Sequence, residues 1–197
     1  MYFKRLASFT EGSGPEYAEI AILLKSMFTQ PNKVQTKEQA DALYDFIEET
    51  SKMSPAQLQQ QRENGLDLNE QVESMISGNI FLQMLMPAFG AVHKIDYRIK
   101  TDIHSVPMIT AALRFKADTG QYPQDLTELK QAGYINEIPI DPFSDKPLIY
   151  KKTDDGFILY SVGLDFKDDG GVLGTNSEGR KTIWADEGDA VFWPVQK

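Results

Sequence analysis

The spacing of apolar residues changes once along this chain, near residue 134, and that change limits the folds available to it. Before it, apolar residues recur at intervals of three and four, as in amphipathic helices. After it, β-prone runs alternate with turn residues, and Asp155-Gly156 precedes one such run at 157–162. An Asp-Gly pair between β-prone runs is typical of a hairpin. We therefore expect an α+β protein, with a helical N-terminal half and a long kinked helix packed on a small C-terminal antiparallel β-sheet.

The N-terminal half contains start signals for four helices. The first should cover residues 15–29, after the cap Ser13. Thr36, with Gln39 three residues later, forms a capping-box pattern that opens the second. The third should start at Ser54-Pro55 and end at Gly65, and the fourth should start near Asp67 or Asn69 and continue to Leu85.

The apolar residues 79–92 are too few to cross a bilayer of about 30 Å, and Pro87 should kink or end their helix. A long amphipathic helix is then expected over 91–117, interrupted by Pro107. Its apolar residues are Ile95, Ile99, Ile103, Met108, Ile109, Ala112, Leu113 and Phe115. Beyond it we expect a short helix at 125–132 closed by Gly133, strands at 148–150, 157–162, 181–184 and 190–193, and a loop at 164–180.

Composition excludes several partners and sites. The chain has 20 basic and 29 acidic residues and a formal net charge of −9, so we expect no nucleic acid partner. It has no cysteine, which excludes disulfides and zinc-thiolate sites. His93 and His104 would lie about 16 Å apart along one helix, too far apart to bind the same metal ion.

Residues 87–197 carry an ordered series of motifs that resembles the globular part of the major pseudopilins of type II secretion systems. The matching elements are Pro87 in an apolar helix, Ala112-Leu113, DTGQYP at 118–123, IDPF at 140–143, PLIY at 147–150 and FILYSVG at 157–163. The resemblance implies a pilin-like fold for 87–197, preceded by a separate helical region, 1–86. Because mostly polar helical sequence precedes the apolar segment, we expect a pilin-like domain within a larger protein and no filament subunit.

The resemblance also implies a calcium ion in the loop that follows the YSxG strand. By position, Asp165 and Asp189 match the family's ligands, Val162 could offer its carbonyl, and further candidates are Asp168, Asp169, Asp186 and Glu187. An acidic, glycine-rich loop can wrap six to eight oxygen ligands around calcium. The other interpretation is a solvated loop in which Asp and Gly serve only the turns.

No motif of a known catalytic class occurs, so we expect that the chain is not an enzyme. The leading hypothesis is a non-catalytic, calcium-stabilised, pilin-like interaction domain outside the cytoplasm, in the periplasm or at the cell surface. It would bind a protein partner or associate with itself, and would meet a membrane only through an anchor absent from this chain. The alternative is a ligand- or glycan-binding module of an anchored surface protein. A third possibility, an enzyme, would need convergent polar groups in a pocket.

Overall fold

The computed structural model describes residues 30–194, without the side chains of residues 87–91 and 93. Over this part the chain is an α+β protein, as the sequence predicts: helices come first and small antiparallel sheets follow. The helices are α1 (Lys33–Ser51), α2 (Pro55–Glu63), α3 (Leu68–Met75), α4 (Ile80–Thr119) and α5 (Leu126–Gln131). The strands are β1 (Ile140–Asp141), β2 (Lys146–Pro147), β3 (Ile149–Lys152), β4 (Phe157–Ser161) and β5 (Ala190–Trp193), and a 3₁₀ turn covers Gly163–Asp165.

The chain divides into two compact units, and one boundary falls inside α4. Unit 1 comprises Met1–Thr50 and Leu66–Ala91, and unit 2 comprises Ser51–Gly65 and Val92–Lys197. This division differs from the predicted one at 86 and 87, because α2 belongs with the C-terminal residues. The backbone explains why: Ala56 N–H donates to the carbonyl of Pro142 at 3.1 Å.

The first described helix starts earlier than predicted. The side chain of Asn32 accepts from the N–H groups of Val34 and Gln35 at 2.9 and 3.0 Å, and the Gln35 side chain accepts from the N–H of Asn32 at 3.0 Å. This is a complete capping box, so Thr36 lies inside the helix and the predicted start there is wrong. The helix predicted over 15–29 lies outside the described residues.

In unit 1, one helix that the sequence predicts as continuous is observed as two separate helices. The predicted start is confirmed, since Asp67 caps α3 through the N–H groups of Asn69 and Glu70. The helix does not continue to Leu85, because Gly78 has a φ of 76°, a backbone conformation that ends a helix. Asn79 follows it, fully buried, and donates to the side chain of Gln39 at 3.0 Å.

Helix α4 runs through Pro87 and Pro107 without a break, so the predicted interruption at Pro107 is wrong. A proline inside a helix costs about 3 kcal/mol, because it lacks an N–H and its ring crowds the preceding turn. The next turns bury Met108, Ala112 and Phe115 in the core of unit 2. Each large apolar side chain contributes about 1.5–3 kcal/mol on burial. The stabilisation from burying these side chains therefore outweighs the cost of the proline.

The apolar residues of α4 do not form the single face that the sequence predicts. Met108, Ala112 and Phe115 are buried, whereas Ile95, Ile99 and Ile103 are exposed. The spacing of the isoleucines is helical, but they lie on the other side of the helix from the core.

In unit 2 the sheet has the order β3-β4-β5, with both pairs antiparallel. The predicted hairpin is confirmed: Lys152 pairs with Phe157, and Thr153 N–H donates to the carbonyl of Gly156 at 3.0 Å. The core lies between this sheet, α4 and α5. Its buried members include Met108, Ala112, Phe115, Leu126, Leu129, Leu148, Phe157, Leu159 and Ala190.

The predicted strand at 181–184 is wrong. Its first residue, Lys181, forms only an isolated bridge with Thr175. Trp184 instead packs on Phe143, with ring centroids 5.3 Å apart, and its indole N–H donates to Asp102 at 3.1 Å. Side-chain packing therefore holds this segment where the sequence predicts a strand.

Candidate functional site

The candidate site is the connection between β4 and β5, residues 162–189, which closes on its own ends. A Cβ on Gly163, whose φ is 72°, would lie 2.6 Å from the carbonyl oxygen of Gly188. A Cβ on Gly174 would lie 1.9 Å from the carbonyl oxygen of Glu187. Only glycine fits where the backbone approaches itself this closely. We call this connection the closed loop.

Asp189 holds the middle of the closed loop. Its side chain is fully buried and accepts from the N–H groups of Asp169, Gly171 and Val172 at 3.3, 2.7 and 3.1 Å. Its own N–H donates to the carbonyl of Val172 at 2.9 Å. Burial raises the pKa of Asp189, and the three N–H bonds oppose that rise. The carboxylate thus takes the place of missing strand pairing for residues 169–172.

Asp165 connects the beginning of the closed loop to the end of the same loop. One carboxylate oxygen accepts from the N–H of Lys167 at 3.1 Å, which stabilises the local turn. The other accepts from the N–H of Gly188 at 2.9 Å. Asp165 and Asp189 therefore both act on the loop backbone, from opposite ends of the connection.

Asp168 binds the sheet. Its carboxylate accepts from the hydroxyl of Tyr160 at 2.8 Å and from the N–H of Gly170 at 2.9 Å, and the Nζ of Lys151 lies 3.8 Å away. The Tyr160 hydrogen bond is the main reason why the pKa of Asp168 lies below its usual value. Burial, together with the same hydrogen bond, raises the pKa of Tyr160.

The side chains of the other predicted ligands lie apart from these contacts. Val162 is buried and packs with Tyr97 and Phe143. The side chains of Asp169, Asp186 and Glu187 are exposed. The closed loop therefore uses Asp169 and Glu187 through their backbone, as an N–H donor and as the carbonyl against Gly174.

The predicted ligands do not form a converging set. Among the described residues, no three His, Cys, Asp or Glu side chains are grouped so that they could hold one metal ion. The carboxylates of Asp165 and Asp189 face backbone N–H groups, whose positive ends oppose a cation at the same oxygens. Calcium binding stays a prediction that the donor arrangement does not favour.

A residue that the sequence analysis did not select, Asp141, holds the start of the closed loop. It is almost fully buried and accepts from the N–H of Phe143 at 3.0 Å and the hydroxyl of Ser144 at 3.3 Å. It also bonds to Ser161 and to the backbone of Val162, and burial raises its pKa. The signal in the sequence was Asp141-Pro142, which predicts a turn but not the residues to which the aspartate binds.

The outer tip of the closed loop makes its backbone bonds with itself. The N–H of Asn176 donates to the carbonyl of Arg180 at 2.9 Å, and the N–H of Gly179 donates to the carbonyl of Asn176 at the same distance. The side chain of Asn176 accepts from the N–H groups of Glu178 and Arg180. The tip is a small closed turn that begins at the bridge between Thr175 and Lys181.

Unit 2 has a groove beside α4, apart from the closed loop. It is lined by Ile103, His104, Pro107, Met108 and residues 134–140. Among the described residues, nothing hydrogen-bonds to the buried Nδ1 of His104. Tyr134 also lines the groove, and its hydroxyl donates to Asp118 at 2.7 Å. The groove is thus mostly apolar, with one imidazole.

The two tryptophans pack against the core of unit 2. Trp193 stacks on Phe157 with ring centroids 5.6 Å apart, and Trp184 packs on Phe143. Glycan stacking needs an exposed ring face, and both rings are only partly exposed here.

None of the described helices combines the length and the apolar content that crossing a membrane requires. Comparison with known proteins adds no relative: no protein-family model matches the chain, and neither a curated protein nor a solved structure matches it.

Proposed function

We propose that unit 2 is a non-catalytic, pilin-like interaction domain that works outside the cytoplasm. The observation that carries the proposal is the closed loop, where Asp165 and Asp189 bind backbone N–H groups. These two acidic residues thus hold the backbone of the closed loop in place beside the sheet. The motif order from Pro87 to residue 163, which resembles that of pseudopilins, supports the same assignment.

The state of the buried carboxylates supports a structural role over catalysis. Burial raises the pKa of both Asp141 and Asp189, as it does for many catalytic acids. Each of them, however, accepts several hydrogen bonds from its own backbone surroundings. A general acid or base needs a face open to the substrate, so we assign these two residues to folding.

Protease accessibility in a cell that makes this protein tests the location. After the outer barrier is opened, added protease should degrade the chain, while a cytoplasmic marker in the same cells stays intact. A chain that remains protected together with the cytoplasmic marker would show the proposed location to be wrong.

The apolar groove supports a second candidate function, the binding of a small ligand. Its walls are mostly apolar and the Nδ1 of His104 is a buried polar group inside them, as in many ligand sites. Titration of the protein with small aromatic carboxylates, followed by NMR of Ile103 and Ile138, tests this candidate. Shifts at these residues and none at Ile158 would support it, and unchanged spectra would remove it.

A further inference from the structure

Helix α4 exposes a stripe of β-branched side chains on the face opposite the core. The α4 stripe consists of Val92, Ile95, Ile99, Ile103 and Val106, each between 51% and 66% exposed. With 3.6 residues per turn, these five lie on one side of the helix, whereas the buried Tyr97, Thr101 and Met108 lie on the other. A continuous apolar surface on the order of a few hundred Å² is typical of an interaction site.

We propose that the α4 stripe pairs with the same stripe of a second copy of this chain, with the two helices antiparallel. The first argument is the pattern itself. The residues are Val, Ile, Ile, Ile and Val, at intervals of three, four, four and three. Both the residue types and the intervals therefore read the same in either direction, with Ile99 at the centre.

This symmetry is what a two-fold interface requires. In an isologous pair, residue i contacts residue j and j contacts i. A two-fold axis at Ile99 places Ile99 on Ile99, Ile95 on Ile103, and Val92 on Val106 of the second copy. Every apolar side chain of the stripe then meets one of equal or similar size. β-Branched side chains also have few rotamers to lose when they pack.

Charges beside the stripe are complementary in this orientation. Asp96 and Lys100 flank one side and are ion-paired within the chain at 2.5 Å, while Arg98 and Asp102 flank the other. In the antiparallel pair, Asp96 lies opposite Lys100 of the second copy, within about 3 Å along the axis.

On the second side, Asp102 lies opposite Arg98 of the other copy at a similar offset. Both flanks are therefore complementary in the antiparallel arrangement, which raises specificity as well as the association rate.

The inference deepens the proposed interaction role and rests on it, by naming the partner as a second copy. The dimer and the proposed function can fail separately. A monomeric protein outside the cytoplasm would remove only the dimer, and a dimer found in the cytoplasm would remove only the proposed location.

Sedimentation velocity of the full chain, from about 1 µM to about 300 µM, tests the association. We expect a monomer–dimer equilibrium without larger species. Ile99→Glu should raise the dissociation constant by about 100-fold, since two carboxylates then meet on the axis. Val34→Glu is the matched control, because it adds the same charge at a similarly exposed valine of α1. It should dimerise as the wild type does.

Any of three sedimentation results would overturn the proposal: a wild-type monomer over the whole range, a dimer that Ile99→Glu leaves unchanged, or growth beyond the dimer. Circular dichroism and thermal melting confirm that the variants fold. A monomer whose position 99, as Ile99→Cys, is protected from a thiol reagent would show that the chain's own residues cover the stripe.

Disulfide trapping tests the orientation, since the chain has no cysteine of its own. Val92→Cys and Val106→Cys proteins are mixed under mild oxidation. The antiparallel pair predicts that the mixed disulfide forms at least about tenfold faster than either homodimer, because only that pairing brings the two sulfur atoms within bonding distance. Faster Val92→Cys homodimer formation would indicate a parallel pair and contradict the proposal.

Discussion

The buried carboxylate of Asp189 accepts a hydrogen bond from the backbone N–H of Gly171 at 2.7 Å, across the width of the closed loop. Asp189→Asn would keep one acceptor oxygen and turn an NH₂ group toward the remaining N–H donors. A buried donor without a partner costs about 1–3 kcal/mol. We expect the variant to lose about 2–3 kcal/mol in its free energy of unfolding, measured by urea denaturation.

Asp169→Asn is the control for this substitution, since the side chain of Asp169 is exposed and its contact with Asp189 is made by the backbone. It removes the same charge from the same loop and should change stability by less than about 0.5 kcal/mol. Equal losses in the two variants would show that net charge, and not the hydrogen bonds, is what matters.

Calcium should leave the melting temperature nearly unchanged. The carboxylates of the closed loop already bind N–H groups, so an ion that bound them would have to break those bonds. We expect a shift below about 1 °C between excess EDTA and excess calcium, with magnesium as the control. A calcium-specific rise of several degrees, lost in Asp165→Ala, would instead support the calcium site that the resemblance implies.

The closest approach within the closed loop predicts a strong effect at Gly174. In Gly174→Ala the new Cβ would overlap the carbonyl of Glu187, and that backbone cannot move without disturbing the neighbouring Asp189. We expect a loss of at least about 2 kcal/mol by chemical denaturation. Gly156→Ala is the control, since neither glycine has a positive φ and a Cβ at Gly156 would be 3.8 Å from its nearest neighbour, Thr153. It should be nearly neutral.

The hydrogen bond from Tyr160 to Asp168 predicts a change that NMR can measure. Tyr160→Phe removes the main cause of the lowered pKa of Asp168, so that pKa should rise toward 3.8. Tyr150→Phe removes a comparable hydroxyl, which donates to the carbonyl of Pro123 at 2.9 Å. Each substitution should cost about 1 kcal/mol, but only Tyr160→Phe should shift the pKa of Asp168. A shift in both would contradict the assignment.

The same pair has a defined pH dependence. Because the folded pKa of Asp168 is below 3.8, its contribution to stability is present above pH 3.8 and is lost as the pH falls through the folded value. The wild type should therefore lose more stability on acidification than Tyr160→Phe does. Half of this side chain is exposed, so solvent screening keeps the difference small.

Local signals in the sequence predicted local structure correctly. The helix expected to start at Ser54-Pro55 does so, with a capping box between Ser54 and Gln57, and Asp125 caps α5. Thr36 with Gln39 has the same spacing as a capping box, yet Asn32 with Gln35 is the pair that forms it. Two equal patterns one turn apart cannot be distinguished from spacing alone, because the choice depends on the residues that precede the helix.

Contacts between distant parts of the chain could not be predicted. The role of Asp189 depends on the N–H groups of residues 169–172, and backbone groups leave no trace in the side-chain pattern. Pro107 predicts a break that the packing of Met108 and its neighbours overrides. The spacing of Ile95, Ile99 and Ile103 indicates one helical face but cannot tell whether that face is buried.

The self-contained turn at the tip of the closed loop makes Ser177 a practical attachment point for a label. Its neighbours Asn176 and Arg180 bond to each other, so a short peptide epitope or a fluorophore at Ser177 should leave the bonds of Asp189 intact. The same insertion at Gly171 would separate the N–H groups that Asp189 binds. A tip labelled in this way would let the protein be followed in living cells without occupying the α4 stripe.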